Sequence, residues 1–278
     1  MARNPYKDAD GHPLLRKSVA VFVDMLGYAD LIETAHKEAK DLDVLNLLRK
    51  SLDDAFQHIN FSPEIWASAP APWLVKSFSD NVVVGLPTRE HDGLDVELIS
   101  GRFGTFQLDL ALEGFFVRGG IALGDLYLDE EIVFGPALID AHNCESLQAV
   151  NPRVVLHGSA EKAIEAEFKR TEHLIPSMPA YNRCFCRDAD GLLFVNYLSS
   201  ITEFEYDDRI YFETLDRHRT SVEAKLSEFS TDTRILSKYL WSASYHNWFC
   251  DVLTPHDDEA RSHKIDVPRF LPCPRASR

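Results

Sequence analysis

Apolar residues recur along the chain at two spacings, one typical of strands and one typical of helices. An apolar run from Ser18 to Asp24 predicts a first strand. Two later β-rich runs, separated only by Ser79 and Asp80, predict a tight hairpin. Between the first strand and this hairpin, apolar residues at three- and four-residue steps predict a long helix, namely Leu42, Leu45, Leu48, Leu52, Ala55, Phe56 and Ile59.

The hairpin is followed by a second helix-then-strand pattern. Apolar spacing predicts a helix through residues 94–112, and the run at 115–128 predicts a strand that extends into a hairpin arm. Gly135-Pro136 begins another helix, because proline is tolerated in a first turn, and residues 152–157 form a further strand. The order β-α-β-β-α-β predicts an α+β protein with a ferredoxin-like core, written βααββαβ for this chain.

The pattern changes after Gly158. A short helix, a strand at 191–198 and two longer helices near 215–229 and 233–250 are expected there. We therefore divide the chain into three parts, an N-terminal lead-in (1–17), a core (18–157) and a helical C-terminal extension packed on the core (158–278).

Composition and charge restrict the classes of function. With 45% hydrophobic residues the chain can bury a sizeable core, and 29 Lys and Arg against 44 Asp and Glu give a net charge of −15. This acidic balance argues against a broad nucleic-acid or membrane surface and leaves room for one small basic pocket. The first 17 residues are polar and no uncharged apolar stretch reaches about 18 residues, so we expect a cytoplasmic protein.

One carboxylate interrupts the first strand. Asp24 lies between five apolar residues and Met25-Leu26. A buried carboxylate is costly unless it is paired, protonated or bound to a metal. It could also cap the helix that follows, and the residue alone leaves both interpretations open.

A second carboxylate, Asp80, stands at the hairpin corner. In a ferredoxin-like order the first strand lies beside the hairpin, so Asp24 and Asp80 would meet at one edge of the sheet. Two acidic oxygen ligands beside the free N–H groups of a helix start suit Mg²⁺ or Mn²⁺ with a triphosphate, and Gly27 permits close backbone approach. The alternative for Asp80 is a simple Asx turn.

Three stretches carry a resemblance to a known family. VFVDMLGYADL resembles the first strand and turn of class III nucleotidyl cyclases, VKSFSDNVVVGLP resembles their hairpin, and FFVRGGIALGDLYLDEEIVFGPALIDA resembles their Arg-x-Gly-Ile strand, arm and following helix. The match spans roughly residues 19–156. The resemblance implies an enzyme that cyclises a nucleoside triphosphate with release of pyrophosphate.

The resemblance also implies roles for particular residues. Asp24 and Asp80 would be catalytic and would hold two Mn²⁺ or Mg²⁺ ions, with the carbonyl of Met25 as a further ligand. The turn residues Leu26, Gly27 and Tyr28 would bind phosphate. Lys76 would contact the base from the other subunit of a homodimer with composite active sites.

Departures from the family pattern concern the base and the transition state. Ile132 stands where adenylate cyclases have a purine-reading aspartate, and Ile139 and Asn143 stand where the family has its transition-state Asn and Arg. Asn143 is a possible transition-state residue by this alignment. Either another residue supplies the positive charge, or the site is inactive.

A retained metal half with an altered base half resembles the Pycsar pyrimidine cyclases of bacterial antiphage defence. This resemblance implies conversion of UTP to cyclic UMP, a second messenger read by a cyclic-nucleotide-sensing effector. Cytidylate cyclase and adenylate or guanylate cyclase are the alternatives within the enzyme class. From another class, the alternative is a degenerate cyclase-like module that binds nucleotide or a partner without turnover.

Several polar and aromatic residues have structural interpretations. Arg118, beside Gly119-Gly120, is expected to be an ion-pair partner, and Glu145 is expected on a solvated helix face or in a local pair. An aromatic stripe at near-helical spacing is expected to pack in the core or in a dimer: Tyr239, Trp241, Tyr245, Trp248 and Phe249.

Overall fold

The computed structural model describes residues 4–59, 74–88, 92–171, 183–203, 209–255 and 257–267. Its strands are β1 (Arg16–Met25), β2 (Leu74–Phe78), β3 (Asn81–Pro87), β4 (Val117–Leu128), β5 (Val133–Phe134), β6 (Val154–Leu156), β7 (Phe185–Arg187), β8 (Leu193–Val195), β9 (Thr202–Glu203) and β10 (Arg209–Ile210). Its α-helices are α1 (Tyr28–Lys37), α2 (Asp41–Ile59), α3 (Asp92–Leu112), α4 (Pro136–Asn143), α5 (Gly158–Thr171), α6 (Phe212–Glu228) and α7 (Thr233–Leu253). A π-helical turn (Cys144–Gln148) and two 3-10 turns (Tyr197–Ile201 and Asp258–His263) complete the described elements.

A mixed sheet organises these elements in the order β2-β3-β1-β4-β6-β8-β7. Strand β1 pairs antiparallel with β3 on one side and with β4 on the other, while β6 runs parallel to β4. The predicted α+β class is confirmed. Because β3 is the direct neighbour of β1, the hairpin corner and the end of β1 share one edge of the sheet.

Strand β1 lies between β3 and β4, and its side chains are buried on both faces of the sheet. Val19, Val21 and Val23 join the core that includes residues of α2, α3 and α5. Ala20 and Phe22 face the opposite side, which they share with Ala137 and Ala141 of α4 and with the fully buried Tyr6. The hydroxyl of Tyr6 donates to Ser18 Oγ at 3.0 Å, which holds the N-terminal segment against the sheet.

Two glycines in β4 allow the close approach of its neighbours. A methyl group on Gly119 would overlap Val23 Cγ1, and one on Gly120 would overlap the carbonyl oxygen of Ala141. Only a residue without a side chain fits at these points: Gly119 lets β1 lie close, and Gly120 lets α4 and the π-helical turn after it lie directly on the sheet. This packing carries the π-helical turn across the start of β4.

The C-terminal part of the chain is joined to the sheet through β7 and β8, and helices α6 and α7 cover its end. Both predicted C-terminal helices are confirmed: α6 begins three residues before the predicted start and ends one residue before the predicted end, and α7 begins at the predicted residue and ends three residues later. In the aromatic stripe of α7, Tyr239, Tyr245 and Phe249 are buried, which confirms the core interpretation for these three residues. Among the described residues, every helix is too short or too polar to cross a membrane.

A row of buried polar groups lies between α6 and α7. His218 lies 2.9 Å from the hydroxyl of Tyr197 through Nε2 and 3.0 Å from His246 through Nδ1. The far nitrogen of His246 lies 2.9 Å from the carbonyl oxygen of His263. Burial lowers the pKa of His246 from 6.5 to about 4 and that of His218 well below its usual range, so both rings are neutral in the folded protein at pH 7.

Candidate active site

The hairpin corner lies beside the end of β1. Asn81 is in register with Asp24, and the Met25 N–H donates to the Asp80 carbonyl oxygen at 3.0 Å. The predicted two-residue hairpin is confirmed, with Ser79 in the left-handed region at φ 54°. Asp24 and Asp80 therefore come from neighbouring strands at one edge of the sheet.

The carboxylate of Asp80 has a side-chain partner. The Asn81 side-chain amide donates to Asp80 Oδ1 at 3.0 Å. Within the described part of the chain, no backbone N–H donates to this carboxylate, so the hydrogen bond that defines an Asx turn is not formed there. The carboxylate stays half-buried at the edge of the sheet.

Arg118 lies between two carboxylates. It is opposite Asp24 in the register of β1 and β4, and its Nε donates to Asp24 Oδ2 at 3.2 Å. Its Nη2 lies 2.7 Å from Glu145 Oε1, which is an ion pair without the angles of a hydrogen bond. Arg118 is thus an ion-pair partner, as expected.

The expectation of a solvated or purely local Glu145 is wrong. This side chain is 4% exposed, and its Oε1 accepts no hydrogen bond from any residue that the structure describes. The π-helical turn carries it across the start of β4 because Gly120 has no side chain that would meet Ala141 and Cys144 there. The Gly-Gly pair was the sequence signal for this close packing.

The electrostatics of Asp24 are those of a carboxylate removed from water. Burial raises the pKa of Asp24 to about 6, Arg118 opposes this rise, and the charges of Glu145 and Asp80 add to it. The capping interpretation of Asp24 is wrong, because α1 begins at Tyr28 with Gly27 as its N-cap. The Asp24 carboxylate therefore does not cap that helix.

The turn after Asp24 supplies fewer free donors than the sequence indicated. The Leu26 N–H donates to the Phe116 carbonyl oxygen at 2.8 Å, so that donor is already used. Gly27 adopts the left-handed conformation, with φ 74°, directly before the ten-residue helix α1. The N–H groups at Gly27 and Tyr28 belong to the start of this helix, where anions are favoured.

Lys238 of α7 lies in the same electrostatic environment. Its side chain is half-buried, and its pKa is lowered by burial and by the charges of Arg118 and Arg234. The carboxylates of Asp24 and Glu145 act on it in the opposite direction. Sequence reasoning missed this residue because it lies far along the chain in a helix that has the pattern of core packing.

The two residues expected to contact the base lie away from Asp24. Lys76 is in the register row of Val83 and Phe22, on the same face of the sheet as Asp24 but two strands further out. Two strand spacings and two residues put the Cα atoms of Lys76 and Asp24 about 12 Å apart. Ile132 lies beyond the far end of β4, about 30 Å from Arg118 along the strand, so one chain does not bring it together with Lys76.

The surface of α4 and the arm is apolar. Asn143 and Ile139 are both exposed on α4. Ile132 is 51% exposed, and its N–H donates to Asp129 Oδ1 at 2.9 Å. We call the following exposed residues the arm-α4 face: Ile132, Phe134, Ile139, Leu147 and Val150.

The ligand atoms at the end of β1 fit a hard divalent cation. The carboxylates of Asp24 and Asp80 are oxygen donors of the kind that Mg²⁺ and Mn²⁺ prefer, and the Met25 carbonyl follows Asp24 directly in the chain. A cation there would also stabilise the charged form of Asp24, which burial disfavours. The donor set therefore agrees with the expected ions.

A separate group of candidate metal ligands lies in the N-terminal segment. One oxygen or nitrogen atom from each of Asp8, Asp10 and His12 lies within 4.8 Å of the others. The Asp10 and His12 N–H groups both donate to Asp8 Oδ1 at 2.9 Å, so a local turn accounts for this cluster. A cation could bind these exposed side chains, but their arrangement does not require one.

Comparisons with known proteins give similarity at the level of the fold. No protein-family model and no curated protein matches the chain. The guanylyl cyclase Cya2 is similar in structure, with a TM-score of 0.40 and 15% identity over 54% of this chain and 79% of that one. A class III adenylyl cyclase-like ATP-binding protein from Pseudomonas aeruginosa has a TM-score of 0.41 and 13% identity, over 58% of this chain and 39% of its own. At these values the chain is similar in part to cyclase-like structures, and its chemistry has to be argued from its own residues.

Proposed function

We propose that this protein is a metal-dependent nucleotidyl cyclase with a ferredoxin-like core of the class III type. It converts a nucleoside triphosphate to a 3′,5′-cyclic nucleotide and pyrophosphate. The observation that carries the proposal is the meeting of Asp24 and Asp80 on adjacent strands, beside Arg118 and the start of α1. The three sequence stretches that resemble class III cyclases support the same activity.

Each group at this edge has a task in the reaction. Asp24 and Asp80, with the Met25 carbonyl, would hold two Mg²⁺ or Mn²⁺ ions, which when bound would neutralise the triphosphate and activate the attacking hydroxyl. Gly27 and Tyr28 offer N–H groups to phosphate oxygens, while Leu26 anchors the turn to β4. The 3′-hydroxyl releases its proton to solvent water, its oxygen bonds to the α-phosphorus, and the bond from that phosphorus to the pyrophosphate oxygen breaks, with the electron pair leaving on pyrophosphate.

Arg118 has two tasks in this proposal. Without bound ions its guanidinium balances Asp24 and Glu145, which limits the cost of burying two carboxylates. When Asp24 binds a cation, the guanidinium remains next to the phosphate-binding edge, held by Glu145. A planar guanidinium with several donors is well suited to phosphate oxygens.

The base half of the site comes from a second copy of the chain. Within one chain the Cα atoms of Lys76 and Asp24 lie about 12 Å apart, and the resemblance to class III cyclases assigns Lys76 to the site that contains Asp24 of the other subunit. The exposed apolar residues of the arm-α4 face are the kind of surface that a second subunit covers. A homodimer with two composite sites, each joining Asp24 and Asp80 of one subunit to Lys76 of the other, would give Lys76 a base to contact and would cover the exposed apolar face.

We propose UTP as the substrate and cyclic UMP as the product. At the position aligned with the hydrogen-bond acceptor that reads a purine amine, this chain has the apolar Ile132, and that alignment favours a pyrimidine. The resemblance to Pycsar cyclases extends this proposal to a cytoplasmic antiphage role, in which a cyclic-nucleotide-sensing effector responds to the product. CTP is the second choice, and a purine triphosphate is the third.

One observation favours a module without turnover as the second candidate. The aligned transition-state positions hold Ile139 and Asn143, and both are exposed on α4 with no positive charge. If no other cation replaces the family arginine, the site would bind a nucleotide without cyclising it. Retention of both Asp24 and Asp80 argues for the enzyme.

The deciding experiment is incubation of the pure protein with each of the four ribonucleoside triphosphates and Mn²⁺ or Mg²⁺. We expect cyclic UMP to be the main product by chromatography and mass spectrometry, and we expect Asp24→Asn and Asp80→Asn to abolish it. A preference for ATP in competition would overturn the choice of UTP. Nucleotide binding without any cyclic product, under conditions that preserve the fold, would select the binding module.

A further inference from the structure

The first half of α7 lies against the edge of the sheet that carries the proposed site. The ring of Tyr239 packs edge-on against Phe116, with 5.3 Å between ring centroids. The carbonyl of Phe116 accepts the Leu26 N–H, and Phe116 lies two residues before Arg118. Helix α7 is therefore fixed beside the turn that follows Asp24.

Lys238 precedes Tyr239 directly, so this packing also fixes the backbone of Lys238 beside the same edge of the sheet. The ammonium group interacts electrostatically with Asp24, Glu145 and Arg118, which come from three different elements of the core. No hydrogen bond or ion pair of 4.0 Å or less joins Lys238 to any residue that the structure describes. A half-buried ammonium group without a close carboxylate has donors available for a ligand.

The net charge at this edge also indicates an anionic ligand. Asp24, Asp80 and Glu145 contribute three negative charges, and Arg118 and Lys238 contribute two positive charges. Two divalent cations on the carboxylates would leave the edge strongly positive, and a triphosphate would then restore the balance. An ammonium group whose only task was to balance the carboxylates would be expected to form a close ion pair with one of them.

We propose that Lys238 binds the polyphosphate part of the substrate from within the same chain, so that α7 of the C-terminal part completes the phosphate half of the site. This inference rests on the proposed function for its substrate, and it supplies the positive charge that α4 lacks. Lys238 is then a phosphate-binding residue indifferent to the base. The binding of inorganic tripolyphosphate and pyrophosphate should therefore depend on Lys238 as much as the binding of a nucleotide does.

The test compares Lys238→Gln and Lys238→Arg with a matched control, Lys162→Gln. Lys162 is an exposed lysine of α5, whose first turn is tied to Leu123, away from the start of β4. Binding of tripolyphosphate in Mn²⁺ is measured by calorimetry, and turnover is measured as kcat and KM for UTP. Thermal unfolding without ligand checks the fold of each variant.

We expect Lys238→Gln to weaken tripolyphosphate binding about tenfold or more, which is the effect of losing one charge-assisted hydrogen bond. Lys238→Arg should recover most of the affinity, and Lys162→Gln should match wild type. Unchanged tripolyphosphate affinity in a folded Lys238→Gln protein would overturn the inference. If wild type cyclises UTP and Lys238→Gln does so with unchanged kcat and KM, the inference fails while the proposed function stands.

The converse outcome is also distinguishable. If wild type makes no cyclic nucleotide but binds tripolyphosphate through Lys238, the phosphate site stands and the cyclase proposal fails. A measurement on wild-type protein covers the case in which Lys238→Gln does not fold. Mn²⁺ with tripolyphosphate should slow the acetylation of Lys238, measured by mass spectrometry, several-fold, whereas the acetylation rate of Lys162 should not change. Equal acetylation rates of Lys238 with and without the anion would refute its role.

Discussion

Replacing Asp24 by asparagine should make the protein more stable while it removes the proposed activity. The pKa of Asp24 rises from 3.8 to about 6 on folding, chiefly because burial disfavours the charged form. Each unit corresponds to about 1.4 kcal/mol, so the charged carboxylate lowers the free energy of unfolding at neutral pH by up to about 3 kcal/mol. The side chain is 19% exposed, and screening by water reduces this, so we expect a gain of about 1–3 kcal/mol.

The sign of this effect depends on pH. A carboxyl group with a raised pKa in the folded state stabilises the fold when it is protonated, and that contribution is lost as the pH rises from about 4 through about 6. The advantage of Asp24→Asn should therefore be largest above pH 7 and should fall towards zero near pH 4. This dependence separates a charge effect from a simple change in packing.

Urea denaturation at pH 8, 7, 6 and 5, with a chelator present to remove divalent cations, measures the difference in unfolding free energy between wild type and Asp24→Asn. The control is Asp53→Asn, an exposed carboxylate paired with Arg49 on α2, which should change stability by less than about 0.5 kcal/mol. Loss of about 3–5 kcal/mol in Asp24→Asn would instead mean that its ion pair with Arg118 is a structural requirement. That result would refute a cation-binding role as the reason for the buried Asp24 carboxylate.

Three other predictions concern stability and assembly. In the Asp24→Asn variant, which lacks the opposing pH dependence of Asp24, the free energy of unfolding should fall by up to about 3 kcal/mol as the pH drops from 6.5 to 4, because His246 becomes protonated in the unfolded chain and stays neutral in the folded protein. Urea denaturation that gives the same unfolding free energy across this range would contradict this. Gly120→Ala should cost about 1–3 kcal/mol, because its methyl group would overlap the Ala141 carbonyl oxygen, and an unchanged melting temperature would show that α4 can shift to accommodate it. The variants Asp24→Asn and Lys76→Ala should each be nearly inactive alone and should recover roughly a quarter of wild-type activity when co-expressed, because half of the randomly paired dimers are mixed and each mixed dimer has one intact site of two. No recovery despite subunit exchange would exclude the composite site.

Local sequence was sufficient for the elements that place the two aspartates. The apolar run of β1 and the two-residue gap between β2 and β3 depend on side-chain alternation and turn chemistry, which act over a few residues. The ferredoxin-like order of elements places the first strand beside this hairpin, so the meeting of Asp24 and Asp80 could be predicted. Helices α6 and α7 were also predictable, because their apolar spacing is regular over many residues.

Tertiary packing decided which other groups join these aspartates. Glu145 reaches Arg118 because Gly120 lets the turn after α4 lie on the sheet, and Lys238 lies at the same edge because Tyr239 packs on Phe116. Neither contact has a local pattern, since each joins residues that are distant in the chain and become neighbours only after folding. The sequence by itself determined the strands and the two carboxylates through short-range periodicity, whereas the balancing charges were decided by long-range packing, where shape complementarity rather than residue spacing selects the neighbours.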